Sequence, residues 1–200
     1  MNGNVPYIIL FVLGSLLISG NTVVAQRISF GLYAQDGIVI TPQDPNELNF
    51  NDKQAVILGG QTISVDLNEA QAAVVAIEAR ADLDVTVTID ADPKLTLGTN
   101  PVGIPLSVNM AYSNLGASTS AIAKTQAIRV PNGFTSVTFP VVRRSSGAPA
   151  PPPTPDHVGY TAPKATAYLF IYGTLGPVPN NAAAGLYSGD INIRVEYSTY

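Results

Sequence analysis

At 200 residues, the chain is long enough for one domain with a substantial core and short for two. Hydrophobic residues make up 46% and charged residues 12%, with a net charge of -4, so there is no basic patch to neutralise a run of phosphates and a nucleic-acid partner is not expected. Cysteine is absent, which excludes disulfides, thiol catalysis, thiolate metal sites and a lipid-modified cysteine.

In chain order, residues 1–25 read as a signal peptide. The uncharged run "VPYIILFVLGSLLI" is short of the roughly 20 residues of a membrane span and suits a leader core. Val23 and Ala25 place small side chains where a signal peptidase inspects, so cleavage is expected after Ala25. "MNGN" lacks the usual Lys or Arg, and an uncleaved anchor is the alternative. No later segment is long and apolar enough to span a bilayer, so an exported protein is expected, in the periplasm, on the cell surface or outside the cell, with residues 26–200 as a single domain.

From there the hydrophobic period is two. Ile28, Phe30 and Leu32 alternate in "QRISFGLY", Ile38 and Ile40 in "GIVIT", and Ile63, Val65 and Leu67 in "QTISVDL". Residues 67–82, "LNEAQAAVVAIEARAD", contain good helix formers, but Val74, Val75 and Ile77 are β-branched; strand is favoured, with helix as the alternative. "LDVTVTID" sets Leu83, Val85, Val87 and Ile89 against Asp84, Thr86 and Thr88, as a strand with one wet face does. "PLSVNMAY", "FTSVTFPVV", "ATAYLFIYG" and "DINIRVEY" complete the candidates, and turn formers such as Asp92-Pro93 and Pro131-Asn132-Gly133 separate them. About nine or ten strands without a βαβ rhythm argue an all-β, immunoglobulin-like sandwich of antiparallel sheets. Residues 143–163 contain six prolines and read as a long exposed loop.

Residues suited to chemistry are few. His157, the only histidine, falls in the proline-rich loop with no visible nucleophile to serve, and Arg143-Arg144 reads as a solvated strand end. Asp82 and Asp84 lie at one end of a strand, with Asp90 and Asp92 at the other; over about 20 Å the four cannot share one calcium ion, and one weak site at either end is the minor alternative. "GTNPVGIP" has no following Lys or helix and reads as a turn rather than a phosphate loop. Without Trp, a sugar platform is poorly supported. No catalytic residue, metal or cofactor is expected, and the protein is not expected to be an enzyme.

"GIVITPQDPNELNFN" with "GGQTISVDL", and the closing "AGLYSGDINIRVEY", resemble the start and finish of an exported bacterial family, domain of unknown function 4402. Leu48, Phe50, Gly185, Tyr187, Gly189 and Tyr197 match its pattern, Asn51 replaces its glycine after Phe50, and the middle of the chain matches only by strand pattern. The chain is also similar to spore coat protein U and chaperone–usher pilin domains. The resemblance implies an immunoglobulin-like sandwich in surface fibres or coats, without catalysis. In the last strand Ile191, Ile193, Val195 and Tyr197 face one way and Asn192, Arg194 and Glu196 the other. That strand and the one carrying Ile28, Phe30 and Leu32 are the candidate assembly strands, the latter either joining its own sheet, the favoured reading, or completing a neighbour's core. The leading expectation is a secreted, non-enzymatic structural or adhesive surface subunit, fimbria- or coat-like, that associates with itself or with other surface subunits through edge strands. The alternative is an extracellular or periplasmic module that binds calcium or glycan.

Overall fold

The structure, a computed structural model, describes residues 25–51, 53, 58–144 and 161–198. The leader through residue 24, His157 and most of the proline-rich loop therefore lie outside the described residues. In chain order the elements are β1 (Ala25–Ala34), β2 (Val39–Pro42), β3 (Ile63–Val65), β4 (Ala73–Arg80), β5 (Asp84–Ala91), β6 (Lys94–Leu95), β7 (Ile104–Ser113), α1 (Ser120–Thr125), β8 (Ile128–Arg129), β9 (Ser136–Pro140), β10 (Lys164–Leu175) and β11 (Leu186–Tyr197). Two sheets stack as an all-β sandwich, ordered β1-β11-β5-β9 and β2-β4-β10-β7-β6, with β3 pairing β10 and β8 pairing β7.

The expected sandwich is present, with two differences in detail. Among the described residues eleven strands form, because β6 and β8 are two residues each and too short to leave an alternating signature. Every pair is antiparallel except β1 with β11, which runs parallel from Ala25 opposite Leu186 to Ala34 opposite Val195. The ambiguous stretch at 67–82 becomes strand from Ala73 onward, preceded by turns. The one helix among the described residues, α1, is capped by the Thr119 hydroxyl, which accepts from the Ile122 amide at 3.3 Å.

Alternation places the core where one face is wet. Val85, Val87 and Ile89 of β5 and Ile191, Ile193 and Val195 of β11 are buried, and Thr86, Thr88, Arg194 and Glu196 face outward. On that outer face hydroxyls pair across strands, Thr86 with Thr138 at 2.8 Å and Thr88 with Ser136 at 3.1 Å. Tyr112 of β7 stacks on Phe139 of β9, centroids 4.2 Å apart, and so joins the two sheets through the core. By contrast, β10 is buried on both faces from Ala167 to Gly173. Its inner side chains fill the sandwich, while outside Lys124 of α1 lies over the Phe170 ring and Arg129 of β8 over Tyr172 at 5.1 Å. The segment between β7 and β9 thus covers a second apolar face.

Hydrogen bonds close the sandwich at both ends of β11. Near its start, Ser188 and Thr96 exchange two bonds of 2.8 Å as the chain passes from β5 to β6 and into the other sheet. Gly189 leaves room there for Leu95, whose Cδ2 would lie 2.7 Å from a Cβ on the glycine. At the far end, the Tyr197 hydroxyl donates to the Gly37 carbonyl and accepts from the Arg80 amide, both at 3.2 Å, tying the β1–β2 turn to β4.

Candidate functional site

Ile28, Phe30 and Leu32 lie on β1, and Ile191, Ile193, Val195 and Tyr197 on β11, so both expected assembly strands belong to one sheet and pair with each other. β1 completes its own sheet rather than standing away from the domain. The two strands differ in what they leave for a partner. β11 lies between β1 and β5, so both of its sides are paired. β1 is an edge.

Parallel pairing directs alternate residues to alternate sides. Gln35 donates to the Val195 carbonyl at 3.0 Å, which assigns the odd-numbered residues of β1 to β11 and turns the backbone groups of Gln26, Ile28, Phe30, Leu32 and Ala34 outward. Asn51 covers the first of these. Its Oδ1 accepts from the Gln26 amide at 3.1 Å and its Nδ2 donates to the Gln26 carbonyl at 2.7 Å, so the side chain occupies the place of a neighbouring strand. Asn49 fixes that geometry through its Oδ1, which accepts from the Asn51 amide at 2.9 Å. Among the described residues, no strand or side chain pairs with Ile28, Phe30, Leu32 or Ala34 on the outer side. Asn51→Ala is expected to cost about 1–2 kcal/mol, since two bonds to a buried backbone unit are lost; urea unfolding measures it.

The other edges are short or stopped. β2 ends in Pro42, and β9 ends in Pro140, whose carbonyl accepts from Asn114 Nδ2 at 2.7 Å. β3 is three residues, and β6 and β8 are two each. On β1, Arg27 is the only charged residue and there is no proline. The side chains of Phe30 and Leu32 pack partly into the core and remain partly exposed, and Tyr33 on the outer face is 57% exposed.

The remaining candidates separate into structural parts. Arg144 forms an ion pair with Asp84 at 2.7 Å and donates to the Asp82 carbonyl at 3.0 Å, with both paired side chains mostly buried, which corrects the solvated-end reading for Arg144. Asp82 pairs with Arg80 at 2.9 Å. At the other end of β5, the Asp92 carboxylate accepts from the Asp190 amide at 2.8 Å. Among the described residues no three His, Cys, Asp or Glu side chains converge to hold a metal ion. A hollow of about 600 Å³ opens beside the end of β5 and the middle of β7, lined in part by Thr88, Asp90, Asn109, Arg194 and the exposed Phe134. It was not foreseen, because it forms where β9 has not yet begun on one sheet and neither β6 nor β8 reaches on the other.

The residues on which the family resemblance rests are structural parts of this frame. Leu48, Phe50 and Tyr187 are core, Gly185 and Gly189 admit Leu97 and Leu95, and Tyr197 is the tie described above. Compared with known proteins, the chain matches no protein-family model and no curated protein.

Proposed function

We propose that the protein is an exported, non-enzymatic structural or adhesive subunit of the cell surface that assembles through an edge strand. The observation that carries this reading is the outer edge of β1, with the backbone of Ile28, Phe30, Leu32 and Ala34 unpaired among the described residues while the other edges are short or ended by proline. Unpaired edge amides and carbonyls recruit another strand unless charge, proline or a covering element prevents it. A surface poor in charge favours such association, and resemblance to coat and pilin domains points the same way.

The test is light scattering over a concentration series. Wild type is expected to form oligomers as concentration rises, whereas Ala34→Pro removes one outward donor while keeping the odd-numbered residues' bonds to β11. About a tenfold weaker association is expected, or about 1.4 kcal/mol. Wild type that stays monomeric throughout overturns the reading. The second reading, a glycan- or calcium-binding module, is favoured by the 600 Å³ hollow, whose size falls within the range of small-ligand sites. It predicts a monomer.

A further inference from the structure

We infer that the partner of β1 is β1 of a second copy, joined antiparallel across a two-fold axis through Gly31, so that two four-stranded sheets become one. This rests on the proposed assembly through the β1 edge and adds which strand meets it and in what register.

Three observations select a second β1. The first is length: among the described residues a copy of this chain offers no other edge that could cover residues 28–34, since β2 and β9 end in proline, β3 is three residues long and β6 and β8 are two. The second is the end stop at Gln26, whose outward amide and carbonyl are already held by Asn51. Outward residues must meet outward residues in an antiparallel hydrogen-bonded pair. Only one antiparallel register uses all four open residues and leaves Gln26 out: Ile28 opposite Ala34 and Phe30 opposite Leu32, each twice by symmetry. Each such pair exchanges two bonds, giving about eight across the seam. Shifting by one pair toward the start sets Ala34 against the occupied Gln26, and shifting the other way carries Ile28 past the end of the strand.

The third observation is side-chain fit. On the inner face the partly exposed Phe30 and Leu32 lie opposite each other and cover one another's remaining apolar surface. On the outer face Tyr33 lies opposite Ser29, next to Gly31, with its ring edge 3.1 Å from where a Gly31 Cβ would stand. Asn192 of β11 already occupies the position a Gly31 Cβ would need. Charge offers no obstacle: the two Arg27 residues stand at opposite ends of the seam, about 27 Å apart at about 3.4 Å per residue, and each faces Gln35 of the other copy. The contact is isologous, so it closes at two chains.

The cysteine-free chain allows a clean test. Ser29→Cys and Tyr33→Cys are prepared separately, each at an exposed position, and circular dichroism verifies that each retains the strand signal. Ser29 and Tyr33 form a non-hydrogen-bonded pair across the seam, within reach of a disulfide. Mild oxidation of the mixture is expected to trap a covalent dimer at least tenfold more abundant than in either variant alone. A wild-type dimer in light scattering without this mixed cross-link overturns the two-fold register and leaves edge assembly standing. Efficient cross-linking of Ser29→Cys by itself does the same. Oligomers that grow beyond two copies overturn closure, and a monomer at every concentration overturns both readings.

Discussion

Gly173→Val is expected to destabilise the domain by about 3 kcal/mol or more, which for a chain of this size lowers the melting temperature by roughly 6–12 °C. β10 changes neighbour at this point, pairing with β4 through Ile171 and with β3 from Gly173, while β7 runs along its other side. A Cβ on Gly173 would lie far inside van der Waals contact distance of the Ser107 carbonyl oxygen, with the Val108 Cα 3.2 Å away. Both atoms are backbone in a central strand pair, so relief requires the sheet to move rather than a side chain to rotate. Gly98 supplies the contrast. It adopts φ +52° with nothing within 4 Å of an added Cβ, so Gly98→Ala costs only the left-handed backbone, about 1–2 kcal/mol. A calorimetric ranking of the two variants in the reverse order would contradict the packing of β7 on β10.

The second large effect belongs to Tyr187, which has no solvent exposure and donates from its hydroxyl to the Ala183 carbonyl at 3.0 Å. Tyr187→Ala is expected to cost about 3–5 kcal/mol, because a ring-sized void opens next to β11. Tyr187→Phe keeps the ring and deprives one carbonyl of its donor, for about 1 kcal/mol. Burial pushes the phenol of Tyr187 above its ordinary pKa. The sign is that of a group whose proton the folded state holds longer. Its contribution is intact below the ordinary tyrosine range and is lost as pH rises past it, when the unfolded chain ionises first. Alkaline unfolding followed by fluorescence should therefore be less steep in Tyr187→Phe than in wild type.

The strands legible by alternation share one property, a wet face opposite a dry one. Val85, Val87 and Ile89, and likewise Ile191, Ile193 and Val195, alternate with polar residues because water contacts the outer face of their sheet. β10 carries no such marking. Its "ATAYLFIYG" reads as apolar throughout because α1 and β8 lie over one face, and that cover depends on where a distant segment folds back. The helix itself is six residues, too short for a period of 3.6 to stand out.

The candidate site divides in the same way. Alternation in β1 identified Ile28, Phe30 and Leu32 as a strand, whereas the edges closed by Pro42 and Pro140 emerge only from the sheet order. The end of the open stretch depends on Asn51, which reaches a backbone unit 25 residues earlier in the chain. A glycine there, as the resembling family has it, could not make those two bonds. A local pattern cannot convey a contact of that separation, and the same holds for Arg144, whose partner Asp84 lies on another strand.

Running the outermost strand alongside the last one in the same direction has a mechanical meaning. Tension drawn between the beginning of β1 and the finish of β11 acts lengthwise on their ladder, so its rungs share the load and yield by sliding together rather than peeling one at a time. The weakest direction is then a pull at right angles to those two strands.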